Sequence, residues 1–348
     1  MKYSIYKIIF VLLIMVAFVS CKKVNIKEVE FKDAVAENII DLNIKENKFI
    51  DAIRDVHIYN DSLIFFTSKN TPGLYKLEIQ NSNISKIGNT GKGPGEYEKP
   101  LFLLIKKDVI CYSDRGSFDI QAVDFNGKFL HKYINPNFVK GKILCEDKNN
   151  NILLAGGGYF WDFYVSSLNG NNYFKVHESV KKIGNNGVSG GTAVTDSNYI
   201  YFMNAYEMKI YVANTDTKKE EVVVLNGNHK KFDWNSYGDK ELSPEKMEEI
   251  FRNEISCLPI KLDVFNYAGK KYFAVMTANA VKGEEYFKTK VILYNYKGIP
   301  IVDINVNLEE PFLFENETVW VYKYSSGGIR GFSKYKLSNE ILSVLKRD

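Results

Sequence analysis

Short strands recur along this chain with turn residues between them, and that rhythm limits the fold more than any other feature. Residues 55–59, 62–67, 74–80 and 83–87 have strand length and strand composition, and the pairs Asn60-Asp61 and Asn81-Ser82 fall between them as turns. The pattern returns over 101–105, 109–113, 118–125 and 128–134, where Asn126-Gly127 is a strong hairpin signal. A third unit covers 142–146, 152–155, 162–168 and 173–177, and a fourth covers 192–195, 199–204, 209–214 and 221–225. A fifth starts after Pro259 with 260–266, 271–276, 288–296 and 299–305, its last hairpin turned by Lys297-Gly298. A sixth comprises 312–314, 318–324 and 329–337, and residues 38–44 alternate well enough to complete it.

The units repeat every 40–50 residues or so, apart from one insertion, which is the period of propeller blades. One four-stranded sheet cannot bury both its faces, whereas sheets stacked around an axis can. The rhythm therefore predicts an all-β chain: a six-bladed β-propeller of four-stranded antiparallel blades over 38–348. An N-terminal strand closing the last blade removes an open edge. A double-sheet sandwich or two smaller β domains are the rival architectures. The abundance of Tyr (23) and Phe (23) fits β structure in either case.

The insertion, 226–257, lies between blades four and five. Ser243-Pro244-Glu245 has the features of a helix start, and Met247, Ile250, Phe251 and Ile255 then share one helical face. Such a helix packs on the ring or serves as a lid.

Residues 1–20 read as a secretory signal peptide: Lys2 and Lys7, then an apolar core over 8–19. That core is shorter than the ~20 residues of a membrane span. Cys21 follows Val19-Ser20 as in a lipoprotein box and is the expected lipidation site, with 21–37 as lipidated Cys and tether. Acyl chains would hold the protein to a membrane at ~0.8 kcal/mol per buried CH₂. The net charge is +4, and removing the leader leaves +2, so there is no electrostatic footprint for nucleic acid. Cys111, Cys145 and Cys257 are odd in number and lack CxxC spacing, which argues against a disulfide framework or a zinc site.

The stretch 88–97, GNTGKGPGEY, invites a phosphate-binding assignment and fails it. A P-loop needs GK followed by Ser or Thr and then a helix, but Lys92 precedes Gly93, Pro94 and Gly95. Gly91, Gly93 and Gly95 are spaced GxGxG, and no βαβ unit surrounds them. The stretch is a strand-to-strand connection whose glycines permit positive φ. GKGPGEY in this position, between one strand run and the next, resembles the six-bladed β-propeller lipoproteins of the Bacteroidota, relatives of NHL-like and TolB-like propellers. The resemblance implies a lipid-anchored protein of the cell envelope, on the periplasmic side of the outer membrane or at the cell surface. Some NHL-like propellers are enzymes.

In an up-and-down blade, the loop between strands two and three lies on the same ring face as the link to the next blade. Several loops should therefore converge, carrying Lys92, Glu96, Asp114, Arg115, Tyr159, Trp161, Tyr206, Glu207, Glu284 and Glu285. Aromatic rings and both signs of charge suit a peptide or sugar. Some of these residues have a local role open to them as well: Asp114 in its own turn, Arg115 as its ion-pair partner, Glu96 on loop amides.

No catalytic constellation accompanies them. His57, His131, His177 and His229 are scattered, without metal spacing, and there is no GxSxG elbow. The sequence thus predicts no metal, no cofactor and no nucleic-acid partner. It predicts an envelope lipoprotein that binds a protein partner, peptide or glycan without catalysis. The alternative is a propeller enzyme, a lyase or glycoside hydrolase, with acidic residues at the channel mouth.

Overall fold

The structure is a computed structural model. It describes residues 26–44, 53–134 apart from 69–70 and 118, 143–146, 152–157, 163–167, 173–177, 191–227 apart from 205–207, 249, and 257–348 apart from 281–286, 307–308 and 326–327.

The chain enters through β1 (Lys27–Glu30), a helical turn α1 (Phe31–Ala34) and β2 (Val35–Asn43). Four hairpin-connected strands follow: β3 (Ile53–Tyr59), β4 (Leu63–Ser68), β5 (Gly73–Glu78) and β6 (Asn83–Ile87). The connection to the next sheet contains a short parallel pair, β7 (Asn89–Thr90) and β8 (Glu96–Tyr97). The second sheet is β9 (Pro100–Lys106), β10 (Val109–Asp114), β11 (Asp119–Asp124) and β12 (Phe129–Ile134). The third is β13 (Ile143–Glu146), β14 (Ile152–Gly157), β15 (Phe163–Ser167) and β16 (Tyr173–His177). The fourth is β17 (Gly191–Asp196), β18 (Tyr199–Asn204), β19 (Lys209–Asn214) and β20 (Glu220–Val224). Then come β21 (Leu258–Tyr267), β22 (Lys270–Ala280), β23 (Phe287–Asn295) and β24 (Pro300–Val306). The chain ends with β25 (Glu309–Glu315), β26 (Thr318–Ser325), β27 (Gly328–Leu337) and helix α2 (Asn339–Arg347).

Turn chemistry sets these hairpins. Asn60 and Asp61 have φ of 49° and 52°, Ser82 has 55°, and Gly127 and Gly298 have 86° and 75°. Positive φ at hairpin tips matches the right-handed twist of the flanking strands. Central strands read as continuous apolar runs because both their faces are covered. Ile64, Phe65 and Phe66 on β4 are all fully buried.

The sheets stack in chain order. First strands pack in succession, β3 on β9, β9 on β13, β13 on β17, β17 on β21 and β21 on β25. The apolar clusters lie between neighbouring sheets: Phe65 and Leu74 meet Leu103 and Tyr112, while Ile64 and Phe66 meet Phe312, Trp320 and Phe332. This last cluster joins the final sheet to the first. The order of the final sheet is β2-β27-β26-β25, so the N-terminal strand pairs antiparallel with the last strand and closes the circle. Closure by residues 38–44 is thus as the alternation predicts. Gly331 sits opposite Asn43 in that pairing, and a Cβ there would collide with the Leu42 carbonyl.

Two features depart from expectation. The structure has five four-stranded antiparallel blades where the rhythm predicts six. The remaining sheet, β1-β24-β23-β22-β21, has five strands, because β1 adds in parallel to the outer edge of β24. Residues 27–34 therefore belong to the fold rather than to a tether. Phe31 and Ala34 of α1 are buried, in one cluster with Ile341, Leu342 and Leu345 of α2. Helix α2 itself has a complete set of local signals: Ser338 caps the Ile341 N–H, Glu340 lies in the first turn, and Lys346 and Arg347 lie in the last. The insertion helix and Cys145's side chain lie outside the described residues, as does Cys21. Cys111 is buried and not in a disulfide, as a small apolar residue would be.

Candidate functional site

The loop face is where β3, β9, β21 and β25 begin and where β4, β10 and β26 end, as the registers Ile53↔Ser68, Pro100↔Asp114, Leu258↔Ala278 and Glu309↔Lys323 show. Residues at the starts of these first strands, which pack on one another in succession around the ring, form the mouth of the ring on this face.

The 88–100 connection packs against the β11–β12 hairpin of the second sheet: a Cβ on Gly95 would lie 3.1 Å from Phe129 Cβ, and one on Gly127 2.6 Å from the Gly88 nitrogen. Gly88 and Gly95 have φ of 69° and 78°, which explains the glycines there. The buried Gln121 side chain accepts from the Gly95 N–H at 2.8 Å and donates to the Glu96 carbonyl at 2.8 Å. Tyr97 is fully buried, and desolvation pushes its phenol up to about 12. Glu96 turns its carboxylate back on the loop, with Oε2 accepting from the Gly93 N–H at 2.8 Å. The loop's amides serve the loop, as a connection requires.

Asp114 is fully buried and spent in the same way. Its Oδ1 accepts from the N–H groups of Lys99 (2.6 Å) and Gly116 (3.0 Å), and its Oδ2 from Glu98 N–H (2.9 Å) and Ser117 Oγ (3.1 Å). Asp114 thereby locks the turn that carries Arg115, whose own N–H donates to the Lys99 carbonyl at 3.0 Å. The Arg115 side chain is exposed and is not paired with Asp114. It lies instead in the field of Arg54, from the second position of β3. Arg54 is half-buried, and its pKa is lowered by desolvation first and by the Arg115 charge second.

Deeper in, Asp55 and Asp263 form matching latches. Asp55 Oδ1 accepts from Val56 N–H at 2.9 Å and Oδ2 from Leu103 N–H of the next sheet at 2.7 Å. Asp263 Oδ1 accepts from Val264 N–H at 2.8 Å, and its Oδ2 from Phe314 N–H of the next sheet. The dipeptide Asp-Val recurs at one place on two inner strands and stitches each to its neighbour. His57 Nε2 lies 3.7 Å from Asp55 Oδ2. Burial works against its charged form, yet the Asp55 carboxylate and the Leu103 carbonyl carry its pKa above the ordinary value.

Lys261 stands beside the Asp263 latch. Its ammonium lies 5.4 Å and 5.3 Å from the ring centroids of Phe312 and Tyr322, a cation–π seat on two stacked rings. Desolvation lowers its pKa to about 8, against the pull of Glu310, Asp263 and Asp55. Glu310, at the start of β25, accepts from the Tyr324 hydroxyl at 2.6 Å. Tyr324 is an exposed aromatic held in one orientation by that bond.

Of the residues singled out in the sequence, Asp114 and Arg115 lie at the loop-face end of β10, and Lys92 and Glu96 lie in the 88–100 connection. Lys92 Nζ lies 3.5 Å from Glu98 Oε1. Tyr159, Trp161, Tyr206, Glu207, Glu284 and Glu285 lie outside the described residues. Arg54, Lys261, Glu310 and Tyr324 were not anticipated. They sit on strands rather than loops, and their signal is a charge or a ring at the loop end of a strand. Among the described residues, no group of three or more His, Cys, Asp or Glu side chains is placed to hold a metal.

The class this architecture defines is the all-β propeller of four-stranded antiparallel blades, and solved structures agree. A Bacteroides fragilis NCTC 9343 protein designated as exported superposes with a TM-score of 0.61 at 11% identity, over 90% of this chain and 99% of that one. A member of the DUF4221 family from Bacteroides vulgatus ATCC 8482 superposes with a TM-score of 0.54 at 10% identity, over 88% and 99%. At such identities the likeness concerns the fold. No family model matches the chain, and no curated protein matches it.

Proposed function

We propose that this chain is an exported propeller of the cell envelope that binds a ligand at its axial mouth without transforming it. The observation that carries the proposal is the set of charged and aromatic side chains at the loop-face ends of the strands: Lys261 over the rings of Phe312 and Tyr322, Glu310 bonded to the Tyr324 hydroxyl, and the exposed Arg115 on its locked turn. Export is supported by the leader over 1–20 and by the designation of the Bacteroides fragilis structure. Lipid attachment at Cys21 belongs to the same proposal, as does counting the five-stranded sheet as the fifth of six blades, with β1 as an added strand. A protein partner, peptide or glycan of the envelope remains the ligand class that rings and charges suit. A glycoside hydrolase needs a pair of acids facing its substrate, and Asp55, Asp114 and Asp263 are all tied to backbone amides instead.

The test is capture from envelope extract by the chain from residue 22 on. Three forms are compared: wild type, a mouth variant with Lys261→Ala and Tyr324→Ala, and an opposite-face variant with Tyr267→Ala. Binding lost only in the mouth variant supports the proposal. Binding lost only in the opposite-face variant, or measurable turnover of envelope polymers by the wild type, overturns it.

A further inference from the structure

Strand β1 fixes where the leader end of the chain leaves the ring. It pairs in parallel with β24, with Lys27 opposite Val302 and Glu30 opposite Asn305. β24 starts at Pro300, just after the β23–β24 hairpin on the face opposite the loops, and leads to β25, which begins on the loop face. A parallel neighbour runs the same way. The chain before Lys27 therefore departs at the opposite face, on the outer edge of the five-stranded sheet. β1 is held there by side chains as well as by its backbone: Glu28 pairs with Lys290, Lys27 pairs with Glu340 of α2, and Asn305 Nδ2 donates to Glu30 Oε1 at 2.9 Å.

Lys27 follows Cys21 closely in the sequence. Even fully extended, the chain from Cys21 to Lys27 spans at most about 20 Å. The 7 residues of β24 rise ~23 Å from one face of the ring toward the other. A lipid on Cys21 therefore brings the opposite face, at this sheet, to the bilayer surface and leaves the mouth a strand's length further off. The surface at that corner suits the contact. The β21–β22 hairpin, the β23–β24 hairpin and the end of α2 meet there: Lys270 Nζ donates to the Lys346 carbonyl at 3.4 Å, the Tyr272 hydroxyl to the Leu345 carbonyl at 2.6 Å, and Asn295 Nδ2 to Asp348 Oδ1 at 3.1 Å. Lys270, Lys297, Lys346 and Arg347 are exposed on it, with Asp348 beside them, and Ile299 exposes an aliphatic side chain next to the hairpin tip. Clustered basic side chains are drawn to anionic headgroups, and an aliphatic side chain among them enters the interface.

We infer that this corner of the opposite face rests on the anionic headgroups of the membrane that holds the lipid, and that the loop-face mouth points away from it. This rests on the proposal that Cys21 carries the lipid and specifies how the ring is then held.

The full chain is expressed with its leader, and the mature protein is purified from the envelope and added to vesicles of equal parts phosphatidylethanolamine and phosphatidylglycerol. Lysines are acetylated briefly with a water-soluble reagent, and the extent at each is read by mass spectrometry against the soluble chain from residue 22 on. The expected result is a severalfold fall in the reaction of Lys270, Lys297 and Lys346 on vesicles. Lys92, in the 88–100 connection with its side chain 78% exposed, should react as it does in the soluble chain. Equal reaction of the three lysines in both forms, or protection of Lys92 in their place, overturns the inference. Protection that develops in the soluble chain as its concentration rises assigns the corner to a second copy and overturns it too. The same spectra report the mass of the peptide that begins at Cys21. A peptide without acyl groups refutes the lipid reading and this inference with it, whereas an acylated peptide with the three lysines unprotected refutes the inference alone.

Discussion

Replacing Asp263 with Ala should destabilise the ring in a way that grows on acidification, opposite to the usual behaviour of a carboxylate that makes hydrogen bonds. Asp263 is 6% exposed and joins β21 to β25 through the Phe314 amide. Alanine leaves the amides of Val264 and Phe314 without acceptors, at ~1–3 kcal/mol each, or about 3 kcal/mol together at pH 7. Burial pushes the Asp263 carboxyl from 3.8 to about 6, outweighing the two amides and Lys261. Between those values the folded chain holds a proton that the unfolded chain has released. Wild-type stability from this group is therefore fully present below pH 3.8 and is lost as pH rises through about 6. Two units of displacement correspond to about 3 kcal/mol. Lys261, at about 8, stays charged throughout this window. The gap between wild type and Asp263→Ala should widen from about 3 kcal/mol at pH 7 to roughly twice that near pH 4. Urea unfolding of both proteins, followed by tryptophan fluorescence at pH 4.5, 5.5 and 7, measures the gap. Other acids titrate alike in both and cancel. A gap that is constant, or that narrows toward pH 4.5, refutes the reasoning.

His57→Gln should behave similarly at higher pH: the folded pKa is raised above 6.5, so His57's contribution is present below that value and lost as pH rises through the folded one. The gap to wild type, by the same unfolding measurement, should shrink between pH 6 and 8. Gly331→Ala should loosen ring closure, because its Cβ meets the Leu42 carbonyl; limited proteolysis should then cleave within 35–44 while the remaining strands stay protected. Gly127→Ala combines φ of 86° with a Cβ 2.6 Å from the Gly88 nitrogen and should cost about 2 kcal/mol or more in denaturant unfolding. Leu345→Ala should cost ~2–5 kcal/mol, since Leu345 is fully buried in the cluster that anchors α2.

Much of this fold is legible in the sequence because its information is local. Asn60-Asp61, Asn126-Gly127 and Lys297-Gly298 mark hairpins that the backbone confirms, and alternation over 38–44 is enough to identify the closing strand. The signals for α2 are equally local, in Ser338, Glu340, Ile341 and Leu345, but they lie beyond the last expected strand and contribute nothing to the blade rhythm. Strand β1 is a different case. Lys27–Glu30 has two acids, one lysine and one valine, and its pairing with β24 lies far along the chain, so no local pattern announces it. At the site, topology places Arg115 on the loop face, in the turn that follows β10. It could not separate Arg115 from Asp114 and Glu96, whose carboxylates are consumed by nearby amides, because that distinction depends on hydrogen-bond geometry. Arg54 and Lys261 escaped notice because a charge at the end of an inner strand looks, in sequence, like a charge next to a turn.

The central claim is that the ligand sits on the axial mouth, and oxidative footprinting of the complex captured from envelope extract tests it most directly. Tyr324 lies exposed at the mouth, and Tyr267 lies at the opposite end of β21 in a hairpin on the other face. The account predicts that hydroxyl-radical labelling of Tyr324 drops on complex formation while labelling of Tyr267 is unchanged. Undiminished labelling of Tyr324 in a formed complex, with protection at Tyr267, would contradict it.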